Sequence, residues 1–201
     1  IEKMPFVPNN PFTMNERCEE IFNIQAGALA KRMEHTGIKK AVIGISGGLD
    51  STLAFLATVK TFEMLNIPTE NILAVTMPGF GTTERTYENS KKLIESFNAS
   101  FMEIDITKAC LLHFEMIGHD PNIHDVTYEN VQARERTEIL MNLANKVGGL
   151  VIGTGDLSEL ALGWCTYNGD HMSMYSLNSG IPKTLVQHLV RWFADKQDIE
   201  I

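Results

Sequence analysis

The stretch Ser46-Gly47-Gly48-Leu49-Asp50-Ser51 is the part of this sequence best suited to chemistry. It follows the β-branched run Lys40–Ile45 and leads into a helical pattern, so strand, turn and helix follow one another directly. Small residues let the backbone come close to an anion, and a helix N-terminus offers free N–H groups and a positive dipole end. Gly44, Ile45, Ser46, Gly47, Gly48, Leu49, Asp50 and Ser51 therefore read as a phosphate cradle, with Ser46 and Ser51 adding hydroxyl donors. No Gly-Lys-Ser/Thr follows, and no GxGxxG is present, so neither common nucleotide loop is at hand. Asp50 is informative, because a carboxylate among phosphate donors repels the ligand unless a cation lies between them. Mg²⁺ is the cation implied. Asp and Ser are also routine helix caps and Gly-Gly a routine turn, so the loop by itself leaves a purely structural role open.

Other residues carry weaker signals. Lys183, just after Pro182, reads by itself as a surface lysine near a Pro-initiated helix. Arg134 could grip a phosphate or carboxylate bidentately, although Arg134 and Arg136 could equally be solvated charges on a helix. Trp164 and Tyr167 offer a stacking surface for a flat ring or simply core packing. His113, His119 and His124 are too loosely spaced to suggest a metal site. Cys165 has no basic neighbour that would make it a nucleophile.

These residues need a frame. Apolar spacing predicts helices over 14–35, 51–65, 84–97, 107–116, 127–147, 156–162 and 182–194. Short β-branched or apolar runs predict strands over 40–45, 71–76, 101–104 and 150–153. In the first helix Cys18, Ile21, Ala28 and Met33 are the expected inner face. Strands separated by helical crossovers call for an α/β domain, a doubly wound parallel sheet with helices on both faces. Ligands then belong beyond the C-terminal ends of the strands. That is where Ser46 and Thr154 fall, and where Met77 and the 79–84 loop follow the second strand.

Composition narrows the classes further. Seventeen Lys+Arg against 25 Asp+Glu give a formal charge of −8, a poor basis for wrapping nucleic acid. Three scattered cysteines, Cys18, Cys110 and Cys165, match neither a disulfide framework nor a CxxC motif and suit a reducing cytoplasm. No apolar run approaches the roughly 20 residues of a membrane span. The Pro-punctuated start, Met4-Pro5-Phe6-Val7-Pro8, reads as a linker over 1–13, ahead of a single domain over 14–201.

The string from Ser46 to Ser51 is similar to the pyrophosphate loop of the adenylating ATP pyrophosphatases. Later strings choose within that superfamily. Tyr128-Glu129-Asn130-Val131-Gln132-Ala133-Arg134, Gly153-Thr154-Gly155-Asp156-Leu157-Ser158-Glu159, Gly163-Trp164-Cys165-Thr166-Tyr167 and Gly180-Ile181-Pro182-Lys183-Thr184 resemble the NAD synthetase family. They look most like the synthetase domain of its glutamine-dependent members. The resemblance implies an adenine nucleotide alpha hydrolase-like fold, with ATP bound by Gly44–Ser51, Thr154 and Lys183 and its adenine against Met77 and the 79–84 loop. It implies Mg²⁺ at Asp50 and Glu159, and Asp50 and Lys183 as the catalytic pair. It places deamido-NAD against Asn130, Arg134, Glu159, Trp164, Cys165, Thr166, Tyr167 and Asp170, at a homodimer interface. The implied reaction is ATP-dependent amidation of deamido-NAD by ammonia, which an amidase domain ahead of the linker would supply. The resemblance also implies a further segment after residue 201 carrying a basic dinucleotide contact. A tRNA-thiolating relative and a nucleotide-binding module without turnover are the rival expectations.

Overall fold

The computed structural model describes residues 4–8, 10, 12–80 and 84–197, with side chains at all of these except 84–87. In chain order the elements are α1 (Met14–Thr36), β1 (Ala41–Gly44), α2 (Leu49–Met64), β2 (Ile72–Thr76), α3 (Glu84–Ser96), β3 (Ser100–Glu103), α4 (Thr107–Ile117), α5 (Val126–Val147), β4 (Leu150–Gly153), α6 (Leu157–Leu162), β5 (Tyr175–Ser176) and α7 (Lys183–Gln197). The sheet order is β3-β2-β1-β4-β5, and every pairing is parallel. The chain winds outward from β1 to β3, then crosses back to lay β4 on the other side of β1. The order therefore reverses between β1 and β4, where a doubly wound sheet opens its crevice.

Alternation along the strands feeds two cores. Ala41 and Ile43 of β1, Ile72 and Ala74 of β2, and Leu150 and Ile152 of β4 face α1, α2 and α7. Val42, Val75 and Val151 face the opposite layer, where Cys110 and Phe114 of α4 and Tyr128, Val131 and Ala144 of α5 are buried. Successive strand residues point to opposite faces, so short apolar strands can serve both layers. In α2 nearly every position from Ser51 to Phe62 is buried, because the helix lies between the sheet and both α1 and α7.

The helix ends follow their capping residues. Asp125 accepts from Thr127 N and Tyr128 N at the start of α5, and Gly148 ends that helix at φ +67°. Asp156 and Glu159 form a reciprocal capping box at α6.

The fold departs from expectation in detail. The inner face of α1 is Cys18, Phe22, Gln25, Ala26, Leu29, Ala30 and Met33, whereas Ala28 is exposed. The fifth strand has two residues, too few for any periodicity to betray it. Among the described residues, no helix is long and apolar enough to cross a membrane.

Candidate active site at the β1–β4 crevice

The loop between β1 and α2 is held by its own hydroxyls. Gly48 N donates to Ser46 Oγ at 3.2 Å, Ser51 Oγ donates to Gly48 O at 3.0 Å, and Ser46 N donates to Ser51 Oγ at 3.3 Å. Gly47 sits at φ +80°, a conformation that makes glycine the natural choice in this turn. Gly48 is the N-cap and brings no side-chain cap, so the first-turn N–H groups of α2 keep their capacity for an anion. Leu49, in the first turn, is exposed, while Ile45 is buried.

Asp50 follows in that same first turn. It meets three residues from far along the chain. Lys183 Nζ lies 2.7 Å from Asp50 Oδ2, 2.8 Å from Asp156 Oδ2 and 3.2 Å from Glu159 Oε1. The three carboxylates place ligand oxygens within 4.8 Å of one another. Burial alone would lower the Lys183 pKa, but hydrogen bonds to Asp156, Asp50 and Glu159 outweigh it and hold the ammonium well above the ordinary lysine value. Asp156 is fully buried. Burial would raise its pKa, but hydrogen bonds from Lys183 and the backbone of Glu159 and Ser158 hold the carboxyl below its usual range.

These residues fit a hard divalent cation. Oxygen donors are what Mg²⁺ takes, and Asp50 Oδ1 is buried with no hydrogen-bond partner among the described residues. The site expectation of Asp50 and Glu159 lacked Asp156. An aspartate at a helix N-cap looks routine in sequence, and Asp156 does accept from Glu159 N at 2.9 Å.

Beside the cluster, a cavity of about 760 Å³ opens over the C-terminal ends of β1, β2 and β4. Gly44, Ile45, Ser46 and Thr154 line it, as do Met77, Phe80 and Asp170. Residues 81–83 of the expected adenine loop lie outside the described residues. A Cβ on Gly44 would come 3.1 Å from Leu140 Cδ1, so the strand end lies close against α5. Arg136, which reads in sequence as a solvated charge as readily as a ligand, lines this cavity. Its Nε donates to Met77 O at 3.2 Å, and burial pulls the guanidinium below the ordinary arginine value while Cys110 and Glu129 pull the other way.

A third group lies between α5 and the loop after α6. Thr166 Oγ1 donates to Asn130 Oδ1 at 2.8 Å, and Arg134 Nε donates to Tyr167 O at 3.0 Å. Thr166 N donates to Asp170 Oδ1 at 2.7 Å. Trp164 is 78% exposed and Tyr167 75% exposed, so the core-packing alternative is excluded for both, and Cys165 between them is exposed too. The expected site thus resolves into neighbouring parts. Asp50, Glu159 and Lys183 meet in the charged cluster, and Asn130, Arg134, Thr166, Tyr167 and Asp170 meet in the third group. Asp170 also lines the cavity.

Comparison with known proteins gives the family. The chain is 46% identical over 205 residues to the glutamine-dependent NAD(+) synthetase of Mycobacterium leprae, covering 100% of this chain and 30% of that protein. The chain therefore spans about a third of the length of such relatives. Among solved structures, glutamine-dependent NAD+ synthetase from Acinetobacter baumannii, in complex with ADP, superposes with a TM-score of 0.83 at 29% identity, over 90% of this chain and 34% of that one. The NH3-dependent NAD synthetase of Campylobacter jejuni shares the fold, with a TM-score of 0.79 at 23% identity over 88% of this chain and 73% of that one. The sequence model of NAD synthase matches residues 21–199. Matched along almost its whole length, the chain belongs to the NAD synthase family.

Proposed function

We propose that this chain is the synthetase unit of an enzyme that amidates deamido-NAD with ammonia at the expense of ATP. The observation that carries the reading is the convergence of Asp50, Asp156, Glu159 and Lys183 beside an uncapped helix N-terminus and a nucleotide-sized cavity. Residues 14–201 form that unit and residues 1–13 its linker.

In this reading the adenosine of ATP enters the cavity between Met77 and Thr154. The phosphates follow Ser46 to Ser51, where backbone N–H groups and the Ser46 hydroxyl receive them while Ser51 holds the turn. Asp50, Asp156 and Glu159 hold Mg²⁺, which, when bound, neutralises phosphate charge and favours departure of pyrophosphate. Lys183 turns its ammonium from the carboxylates to the departing pyrophosphate, where a cation stabilises the charge that develops. The nicotinate carboxylate attacks the α-phosphate and gives an acyl-adenylate; ammonia displaces AMP and gives the amide. Adenylation is needed because a carboxylate would otherwise have to expel oxide. The chain orients and neutralises, and no covalent protein intermediate is required.

Deamido-NAD lies against Asn130, Arg134, Thr166 and Tyr167, with Trp164 and Cys165 at the edge and Asp170 fixing the loop. The exposure of Trp164 and Tyr167 supports a second copy of the chain covering the dinucleotide. Free thiols at Cys18, Cys110 and Cys165 support a reducing cytoplasm.

Adenylation as a separate step has a direct test. Labelled pyrophosphate should exchange into ATP in the presence of Mg²⁺ and deamido-NAD with no ammonia added. Exchange that proceeds equally without deamido-NAD would refute the assignment of the acceptor.

A further inference from the structure

The charged cluster brings together residues from three separate segments, and one buried amide joins all three. Asn178, 0% exposed, lies in the turn after β5, five residues before Lys183. Its Nδ2 donates to Asp50 O at 2.9 Å and to Thr154 O at 3.1 Å. Both amide hydrogens are thereby committed to carbonyls of different elements, the first turn of α2 and the end of β4. Its Oδ1 accepts from Gln25 Nε2 at 3.1 Å, and the same Nε2 donates to Leu177 O at 3.2 Å. This network fixes the amide's orientation, since a flip would set its oxygen against two carbonyl oxygens. The main chain of the turn runs on in the same sense. Leu157 N donates to Ile181 O at 3.0 Å and Lys183 N to Ser158 Oγ at 3.1 Å, tying the segment to the start of α6.

We propose that Asn178, oriented by Gln25, is a positioning residue that sets the spacing of Asp50 from Asp156, Glu159 and Lys183. Its ligand arm rests on the nucleotide reading given above. Lys183 offsets the repulsion among three carboxylates within 4.8 Å, but a long side chain can follow them if they drift, so their spacing falls to the backbone that carries them. Asn178 imposes it from behind, holding the carbonyls of Asp50 and Thr154 while its own side chain is sealed from the cavity. A small cation with strict octahedral demands tolerates little drift in such a frame. A misplacement of about 1 Å is enough to lose on the order of a hundredfold in function.

Asn178→Asp keeps the side chain's shape and replaces both donations with repulsion; Gln25→Met removes only the group that orients it. Each would be compared with the unaltered chain in three measurements. The first is Mn²⁺ affinity by electron paramagnetic resonance with α,β-methylene-ATP present. The second is adenosine affinity without metal, and the third is the acylation rate of Lys183 relative to Lys146, read by mass spectrometry. Circular dichroism reports folding. Positioning predicts Mn²⁺ binding about tenfold weaker or more in Asn178→Asp, with adenosine binding weakened several times less, because the cation needs all three carboxylates in place whereas Thr154 is one residue of the cavity wall. Lys183 should be acylated several times faster, and Gln25→Met should shift each quantity in the same direction by less. If Asn178→Asp does not fold, Gln25→Met carries the test through the same quantities. Folded variants with unchanged Mn²⁺ affinity and unchanged Lys183 acylation would overturn the proposal. Failure of the nucleotide to strengthen Mn²⁺ binding in the unaltered chain would refute the nucleotide reading instead, and the acylation rates would still decide the role of Asn178.

Discussion

Lys183 Nζ sits 2.7 Å from Asp50 Oδ2 across 133 positions of sequence. The contact joins the first turn of α2 to the first turn of α7, and Asp156 and Glu159 complete it from α6. The ammonium offsets charge on all three carboxylates.

Removing that ammonium should expose the repulsion it hides. Lys183→Met is expected to lower stability by about 1–2 kcal/mol, less than for a fully buried pair because the lysine side chain is half-exposed. Mg²⁺ should then raise the melting temperature of the variant more than that of the unaltered chain. Equal Mg²⁺ responses would show that cation and ammonium do not share these carboxylates.

Acid should reveal Asp156. Its folded pKa is depressed, so its contribution is present above the ordinary aspartate value of about 3.9 and is lost as pH falls through the lower folded value. Lys183 is shifted the other way: its contribution is full below the ordinary lysine pKa and is lost only as pH rises through the higher folded value. The stability gap between the unaltered chain and Asp156→Asn should therefore be steady near neutrality and close below about pH 4. Melting curves across that range decide it; a gap that widens with acid contradicts the ion pair.

The third group should act on one substrate only. Arg134→Lys loses the Nε contact to Tyr167 O and with it the fixed position of the loop. Deamido-NAD should bind about tenfold more weakly, the equivalent of one charge-assisted hydrogen bond of about 1.5 kcal/mol. ATP affinity, measured by calorimetry, should stay unchanged; parallel losses for both ligands would place Arg134 in the general architecture.

The end of β4 is sterically closed. A Cβ at Gly153 would fall 2.4 Å from Ser173 Oγ and 2.7 Å from Ser173 Cβ. Gly153→Ala should cost about 1–3 kcal/mol by overpacking, and adding Ser173→Gly should restore much of it. Strictly additive losses in thermal melts would mean that the neighbour does not cause the strain.

The sequence makes some of this arrangement legible and leaves the rest to the fold. Alternating strand and helix patterns give the doubly wound class, and small residues between a β-branched run and a helix mark the anion loop before any family is considered. Arg134 and Arg136 show the limit. Two positions apart, they lie roughly 200° apart around α5, so one faces the loop after α6 and the other the cavity. No periodicity says which face meets which partner, because that depends on how the helix is rotated against the sheet. Asp156 is hidden by its resemblance to an ordinary cap. Asn178 carries no local signal, since its partners lie 128 and 24 positions away.

In the proposed reaction ATP is spent to activate the carboxylate of deamido-NAD. Its most direct test is the stoichiometry of products with ATP, Mg²⁺, deamido-NAD and an ammonium salt, resolved by chromatography. Turnover should give one AMP and one pyrophosphate for each NAD formed, at a rate that rises with pH as free ammonia increases, and no AMP when deamido-NAD is withheld. ADP and phosphate as the nucleotide products, or AMP release indifferent to deamido-NAD, would contradict it.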